Sequence, residues 1–362
     1  MISENLVFLA GKAAFSKIRD GGLHPDMVKV VTGAAGGPKG LVLHHLDRVL
    51  FSSWFGNRSH PLFLLGSSIG AWRFAAVSQK DPLTATERFK NAYLDQSYSS
   101  SPTSEEVTSE MVRGLNGFLD EGGIREILNH PFLRLSIMAV RSGKLAATDR
   151  KLPLLLALTG LVMANGLHRS LLKFFFERAL FHDPRNAPPF LEMEGFPIRK
   201  TPLTPRNVIS ALLASGSIPL VMTGVNDIPG APDGVYRDGG VIDYHMDIPF
   251  MSENDSGIVL FPHYVNRVIP GWLDKRLSWR KPTPSNMSHV LLVAPSDAFV
   301  RSLPHHKIPD RTDFRTFLGR DRERVAYWQA VVDRGEGLAA EFMEVVQSGR
   351  IREQVRLMPG CE

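Results

Sequence analysis

The sequence predicts an α/β fold built on a mostly parallel sheet. Two short apolar runs that end in glycine, at 27–33 (MVKVVTG) and 61–66 (PLFLLG), are each followed by a helical pattern, over 41–54 and from Ile69 onward. Alternation of strand and helix over so short a stretch implies parallel strands joined by right-handed crossovers. The glycines that end both runs favour sharp turns between strand and helix.

The rest of the chain continues this alternation. The N-terminal segment is predicted as an amphipathic helix, with Leu6, Leu9, Ala10, Ala13 and Ala14 on one stripe. Further strands are predicted at 132–143, 234–240, 256–264 and 288–296, and helices over 84–130, at 205–220 and from Asp313 to Gly349.

No stretch of linker composition divides the chain cleanly. We therefore predict one α/β domain over residues 1–300, with a helical insertion at about 150–200, and a helical C-terminal extension over 301–362 packed on it. The insertion contains the most apolar stretch, residues 152–167. This stretch falls short of the roughly 20 residues that a bilayer-spanning helix needs, so it is either a buried helix or a lid or interfacial helix over a lipid site.

Composition excludes few classes of function. The net charge of +5 over 362 residues is mild, the basic residues are dispersed, and no nucleic-acid motif is present, so no nucleic-acid partner is expected. The single cysteine, Cys361, cannot form an intramolecular disulfide. The N-terminus does not resemble a signal peptide, so the expected location is cytoplasmic. We expect no cofactor and no metal ion, and the sequence leaves the oligomeric state open.

The segment GSSIG, residues 66–70, matches the pattern G-x-S-x-G with Ser68 at its centre and Gly66 and Gly70 at its ends. It directly follows an apolar strand and directly precedes a helix, which is the setting that a nucleophilic serine of this type requires. The tight turn exposes the hydroxyl, and the start of the helix favours negative charge that develops there. Ser68 is therefore the candidate nucleophile.

A glycine-rich loop, GAAGGPKG at 33–40, also lies between a strand and a helix. Alone it could bind phosphate or a dinucleotide, because a glycine turn before a helix binds anions. Beside a nucleophile, the same backbone N–H groups can form an oxyanion hole, with Gly36 and Gly37 as candidate donors. Gly40 supports the turn, and Lys39 either adds positive potential or is a solvated charge at the helix start.

Asp238 ends a predicted strand in the segment RDGG and precedes Gly239 and Gly240. In isolation it would be an ordinary turn aspartate. A carboxylate within about 3 Å of Ser68 could instead accept the serine proton, provided that partial burial raises its basicity.

AGGPKG, GSSIG and RDGG, in that order, resemble the three signature motifs of the patatin-like phospholipase family, over roughly residues 25–265. The resemblance implies a three-layer α/β/α fold and hydrolysis of lipid acyl esters by a Ser–Asp dyad without histidine. By position it makes Ser68 the nucleophile, Asp238 the base, and Gly36 and Gly37 the oxyanion donors. Two positions depart from the family pattern: Ala35 replaces a glycine common in the triplet, and Lys39 replaces the usual arginine.

Two other functions remain open. An α/β-hydrolase esterase would use a Ser–Asp–His triad, for which the sequence offers His263, His289, His305 and His306. A catalytically silent lipid-binding module could also retain such a fold.

The segment 265–281 is rich in basic residues and contains Trp272 and Trp279. Tryptophan favours the membrane–water interface, and basic residues are attracted to anionic lipid. Together with 152–167, this segment would then make peripheral membrane contact near the mouth of the site. Alternatively, it is a surface loop whose tryptophans pack back on the core.

Overall fold

A single sheet organises the computed structural model, which describes residues 4–143 and 146–361. In this part of the chain ten strands form the sheet: β1 Leu6–Ala10, β2 Val28–Gly33, β3 Leu62–Ser67, β4 Leu133–Ser142, β5 Phe176–His182, β6 Ile198–Pro202, β7 Val235–Asp238, β8 Ile258–Pro262, β9 Val290–Pro295 and β10 Arg356–Leu357. Their order in the sheet is β10-β1-β9-β8-β2-β3-β4-β5-β6, with β7 paired to β4.

Helices flank the sheet in a three-layer α/β/α arrangement. They are α1 Lys12–Gly21, α2 His44–Val49, α3 Ile69–Val77, α4 Pro82–Leu94, α5 Ser104–Phe118, α6 Glu121–Asn129, α7 Lys151–Leu167, α8 Val208–Gly216, α9 Pro284–Met287, α10 Asp297–Ser302, α11 Asp313–Thr316, α12 Asp321–Arg334, α13 Glu336–Gln347 and α14 Ile351–Gln354. The predicted α/β fold with a mostly parallel sheet is confirmed.

The centre of the sheet, β9-β8-β2-β3-β4, is entirely parallel. These strands are almost continuously apolar and buried, as parallel strands are when helices cover both faces. The antiparallel pairs lie at β1/β9, β4/β5 and β4/β7. The carboxyl ends of the parallel strands therefore meet along one edge, where ligand sites of open α/β sheets form.

Strands β3 and β7 meet end to end beside β4. β3 pairs with β4 as far as Ser67, opposite Met138, and β7 pairs with the next residues of β4, with Asp238 opposite Ala139. Since β5 occupies the other edge of β4 over the same stretch, β7 lies on the edge that β3 has left. The carboxyl ends of β3 and β7 thus face each other.

Two sequence-based predictions differ from the structure. The N-terminal stripe from Leu6 is not one helix: residues 6–10 form β1, with alternating burial, and the helix begins only at Lys12. Pairing with β9 and β10 in the sheet overrides the helical pattern. The predicted helical insertion at about 150–200 is helical in α7 and in a short 3₁₀ turn at Arg169–Phe174, but β5 and β6 follow and belong to the central sheet.

The C-terminal part is mostly helical and lies against the first half of the chain. Helix α12 packs on α4 and on the 3₁₀ turn Gly37–Leu43, and α13 packs on α2. Strand β10 then joins the edge of the sheet beside β1. The division of the chain at residue 300 stays a prediction.

Candidate active site

Ser68 lies at a sharp turn between β3 and α3. Its backbone has φ 54° and ψ −126°, a conformation that non-glycine residues seldom adopt and that is costly unless the surroundings enforce it. Its amide donates a 2.8 Å hydrogen bond to Ser215 Oγ, which in turn donates to the carbonyl of Met138 at 2.6 Å. Ser215, which belongs to α8, therefore links the turn to β4 by two hydrogen bonds and helps to hold Ser68 in this conformation.

The hydroxyl of Ser68 donates to Asp238 Oδ2 at 2.8 Å. The other carboxylate oxygen, Oδ1, accepts from the Gly240 amide at 2.7 Å, and the Asp238 amide donates to the Ser217 carbonyl at 2.9 Å. Both side chains of the pair are buried. The two residues that the sequence singled out are thus in contact across 170 positions of chain.

Burial raises the pKa of Asp238 above its ordinary value, and the positive charge of Arg311 is the largest of the opposing influences. A raised pKa makes the carboxylate a stronger base than a free aspartate, as proton abstraction from a hydroxyl demands.

Small residues make the close contact of these segments possible. A Cβ on Gly70 would lie 2.2 Å from the carbonyl oxygen of Gly33, and one on Gly239 would lie 2.4 Å from that of Met138. Both neighbours are backbone atoms that cannot move aside. Gly66 is the penultimate residue of β3, and Gly240 donates to Asp238, so the glycines of both motifs border the pair.

The glycine-rich loop lies on the same edge of the sheet. Gly37 has φ +58° and is the first residue of the 3₁₀ turn Gly37–Leu43, and Gly36 comes directly before it. Both amides therefore lie at the start of a helical turn. Within the described residues, neither amide donates a hydrogen bond to another group. Free N–H groups at such a turn are suited to bind an anionic oxygen. Gly40 lies inside the turn, close to Ile69.

Tyr264, which sequence reasoning missed, braces this loop. Its hydroxyl donates to the carbonyl of Ala35, and His245 Nε2 lies 2.8 Å from the same hydroxyl. The Ala35 amide donates to the carbonyl of Tyr244 at 3.0 Å. The Lys39 ammonium lies over the Tyr264 ring, 5.3 Å from its centre. No local sequence signal marks Tyr264, because its role depends on pairing across more than 200 residues.

Two adjoining cavities border the Ser68–Asp238 pair. The larger, of about 640 Å³, is lined by Ser68, Gly37 and mainly apolar side chains. Its apolar wall includes Ile69, Trp72, Met111, Ile218, Met222 and Phe314. The exposed Val221 and Leu318 also line it, so it reaches the surface. Its size is typical of sites for small organic ligands.

The smaller cavity, of about 180 Å³, lies on the Asp238 side. Gly36, Asp238 and Gly240 line it, together with two aromatic side chains, Tyr244 and Trp272. Four charged side chains complete the lining: Lys39, Lys275, Asp310 and Arg311. Ile218 and Arg311 line both cavities, which therefore meet beside the pair.

None of the described histidines hydrogen-bonds to Ser68 or Asp238. Of the four histidines offered by the sequence, His263 accepts from the Val265 amide, His289 contacts the carbonyls of Gly257 and Glu253, and His306 contacts that of Arg301. Burial lowers the pKa of His263 to about 3. The geometry therefore gives no support to a Ser–Asp–His triad.

The apolar helix α7 is not buried. Only Leu154, Leu161 and Asn165 are buried in it, while Leu152, Leu156 and other apolar side chains are exposed. The interpretation as a buried helix is thus wrong, since one narrow stripe alone contacts the protein. No helix in the described part of the chain is long and apolar enough to cross a membrane.

The two tryptophans of the basic segment behave differently. Trp279 is exposed, whereas Trp272 is partly buried and lines the smaller cavity. Asp274, between them, accepts from Asn165 Nδ2 of α7 at 2.7 Å and from the Gly271 amide at 2.9 Å. This bond joins the wall of the smaller cavity to α7, although no residue of 151–167 lines either cavity.

Comparison with known proteins adds little to this geometry. No family model and no curated protein matches the chain. Among solved structures, VipD from Legionella pneumophila resembles it with 12% sequence identity and a TM-score of 0.31 over 65% of this chain. The chain spans about half the length of that protein, since the match covers 50% of it. Similarity this weak defines no shared function, so a functional proposal must rest on the site.

Proposed function

We propose that the protein is a serine carboxylic-ester hydrolase that cleaves lipid acyl esters by a Ser–Asp dyad, as the resemblance to the patatin-like phospholipases implies. The observation that carries the proposal is the 2.8 Å hydrogen bond from Ser68 Oγ to Asp238 Oδ2, in a buried pair without a histidine partner. Among the described residues, no group of three or more His, Cys, Asp or Glu side chains is arranged so that it could hold a metal ion.

In the proposed reaction, Asp238 takes the hydroxyl proton while Ser68 Oγ attacks the ester carbonyl. The amides of Gly36 and Gly37 stabilise the oxyanion of the tetrahedral intermediate. Asp238 then returns the proton to the departing alcohol, which leaves an acyl-enzyme. A water molecule attacks the acyl-enzyme with Asp238 again as the base, and the carboxylic acid is released.

The shape of the site supports a lipid substrate. The larger cavity is apolar and begins at Ser68, so it suits an acyl chain whose carbonyl carbon reaches the hydroxyl.

We further propose that α7 brings the enzyme to the surface of an anionic membrane. Its exposed apolar residues and Phe174 of the following turn lie within one short stretch of sequence, with basic neighbours at Arg150, Lys151 and Lys173. Such a combination favours insertion at the headgroup level of anionic lipid. The exposed apolar residues are Leu152, Leu155, Leu156, Val162, Met163, Leu167 and Phe174.

Covalent labelling tests the nucleophile directly. A fluorophosphonate probe should modify Ser68 in the wild type, as peptide mass analysis can show, and should leave Ser68→Ala unlabelled. Ser67→Ala is the matched control and should still be labelled. A wild type that resists the probe and hydrolyses no member of a lipid panel would overturn the hydrolase proposal and leave the silent lipid-binding module as the alternative.

A further inference from the structure

The hydrogen bond from Tyr264 to the glycine-rich loop decides which way the Gly36 amide points. In a planar trans peptide unit, the carbonyl of one residue and the N–H of the next point in opposite directions. The Ala35 carbonyl accepts from the Tyr264 hydroxyl, so the same hydrogen bond fixes the direction of the Gly36 N–H. Without this bond, the peptide unit between Ala35 and Gly36 could rotate.

The order of the strands shows toward which side the Gly36 amide points. Strand β2, which leads into the loop, lies between β8 and β3. Tyr264 is the second residue after β8, and Ser68 directly follows β3. The Ala35 carbonyl therefore points toward the β8 side, and the Gly36 N–H points toward the β3 side, where Ser68 lies. A group on one side of β2 thus aims an amide at the hydroxyl on the other side.

The brace formed by Tyr264 and His245 lies in direct contact with the loop. A Cβ on Gly36 would lie only 2.6 Å from Cε1 of Tyr264 and 2.7 Å from its hydroxyl oxygen, so only glycine fits at this position. Both Tyr264 and His245 are buried. The His245 ring also stacks on Tyr244, with ring centres 4.3 Å apart. Packing therefore holds the brace in place against the loop.

The proton positions along the brace follow from groups that can only accept or only donate. The Ala35 carbonyl can only accept, so the Tyr264 hydroxyl donates to it and accepts in turn from His245 Nε2, 2.8 Å away. Nε2 therefore bears the imidazole proton. The Ile269 amide can only donate, and it lies 3.0 Å from His245 Nδ1, which this tautomer leaves free to accept.

The opposite tautomer fits the surroundings less well. The Arg267 carbonyl, 3.3 Å from His245 Nδ1, could accept a proton from it. The single Tyr264 proton would then have to serve two acceptors, Nε2 and the Ala35 carbonyl. The Ile269 amide would also point its hydrogen at an N–H. The hydrogen bonds are all satisfied only if the chain runs from Ile269 through His245 and Tyr264 to Ala35.

Burial keeps both members of the brace in the protonation states that this chain needs. Desolvation, followed by the neighbouring His263, lowers the pKa of His245 well below its ordinary value, so the imidazole is neutral. Desolvation raises the pKa of Tyr264 well above its ordinary value, so the hydroxyl keeps its proton. Hydrogen bonds that run in one direction polarise one another, which strengthens the donors along the chain.

We propose that His245 and Tyr264 are positioning residues for ester hydrolysis, in which His245 orients the Tyr264 hydroxyl and this hydroxyl aims the Gly36 amide at the oxyanion. This inference rests on the proposed function, because it places an oxyanion at that amide. His245 thereby contributes to the reaction without exchanging a proton with Ser68 or Asp238.

Removal of one hydroxyl tests the positioning. Tyr264→Phe keeps the ring against Gly36 but releases the Ala35 carbonyl, and it should lower kcat on a soluble short-chain ester by about tenfold, less than outright loss of an oxyanion donor would. KM should stay nearly unchanged, because the amide acts on charge that develops in the transition state. Tyr327→Phe is the matched control. It removes another buried hydroxyl, which donates to the Lys307 carbonyl at 2.9 Å, and should leave kcat unchanged.

His245 is tested by replacement and rescue. His245→Leu should lower kcat as Tyr264→Phe does, whereas His245→Gln should retain most of it, because the glutamine amide can donate to Tyr264 in place of Nε2. The double variant of Tyr264→Phe and His245→Leu should be no slower than Tyr264→Phe, since His245 acts only through the hydroxyl. Urea unfolding checks that each variant is folded. Wild-type kcat in Tyr264→Phe, or losses that multiply in the double variant, would overturn the proposal.

The tautomer of His245 separates failure of this proposal from failure of the proposed function. Nitrogen NMR spectra of protein labelled in histidine, assigned by comparison with His245→Gln, should show a neutral ring protonated at Nε2. If this tautomer is found in a protein that hydrolyses no ester, the aim of the Gly36 amide stands and the hydrolase proposal falls. A ring protonated at Nδ1 would refute the hydrogen-bond chain whatever the activity.

Discussion

Helices α7 and α8 are both rich in leucine and alanine, yet their surroundings are opposite. No residue of α8 is exposed, and the helix packs on β4, β7 and α3, where Ser215 anchors the turn at Ser68. Helix α7 touches the protein along one stripe and leaves most of its leucines in solvent. The comparison teaches that apolar composition alone does not determine which helix supports the core and which is left for another partner.

The largest expected effects lie at the pair of residues that α8 helps to hold in place. Ser68→Ala and Asp238→Asn should each lower kcat by roughly 10⁴-fold or more, and the double variant should be scarcely worse, because the two act as one unit. Ester hydrolysis measures the loss, and circular dichroism confirms that the fold is retained. Near-normal turnover by Asp238→Asn would exclude the dyad.

A smaller loss is expected at the glycine-rich loop. Gly37 has a positive φ and lies against Arg311 and Tyr93, so Gly37→Val should displace the two amides and lower kcat by about 10²- to 10³-fold. KM should change less, because the amides act on charge that develops in the transition state. Equal losses in binding and turnover would indicate a ligand-binding loop instead.

Stability measurements test the contrast between the helices directly. Leu212→Ala in α8 removes a buried side chain and should lower the free energy of unfolding by about 2–5 kcal/mol. Leu156→Ala makes the same change on the exposed face of α7 and should stay within about 0.5 kcal/mol. Urea unfolding compares the two, and similar losses would show that α7 packs on the protein in solution.

The mildest effect is expected in lipid binding. Leu156→Ser, Met163→Ser and Trp279→Ala should each weaken binding to anionic vesicles by about tenfold, since each removes apolar surface that would be buried in lipid. Hydrolysis of a soluble short-chain ester should not change. Leu83→Ser, at an exposed leucine of α4, is the control and should leave vesicle binding intact. Equal vesicle binding by all variants would remove α7 from the interface. Trp272 is unsuitable for this test because it also lines the smaller cavity.

Sequence reasoning located the central strands and the Ser68–Asp238 pair because both depend on local patterns: apolar runs, tight glycine turns and short motifs. It missed β6 because this strand is largely exposed and contains Arg199 and Lys200, so no apolar alternation marks it. It missed β5 because the strand lies within the stretch predicted as a helical insertion. It also read residues 6–10 as helix, because their partner strand lies nearly 300 positions away.

Local sequence patterns could not identify the residues that support the site, because the partners of these residues are also distant in sequence. Ser215 and Tyr264 act through hydrogen bonds to distant segments, at Ser68 and Ala35. By its place in the sequence Lys275 is one of the basic residues of the segment 265–281, but its ammonium lies over the Tyr244 ring beside the smaller cavity. The direction of a long side chain is decided by the packing around it, which the sequence does not contain.

Because β3 and β7 meet end to end, the two residues of the Ser68–Asp238 pair come from parts of the chain that are synthesised at different times. A ribosome adds residues one at a time, so Ser68 is synthesised early and Asp238 follows 170 residues later. Until β7 has emerged and paired with β4, Ser68 lacks its hydrogen bond to Asp238. Under the proposed function, a nascent chain would therefore carry an inactive serine until the sheet is completed on both sides of that junction.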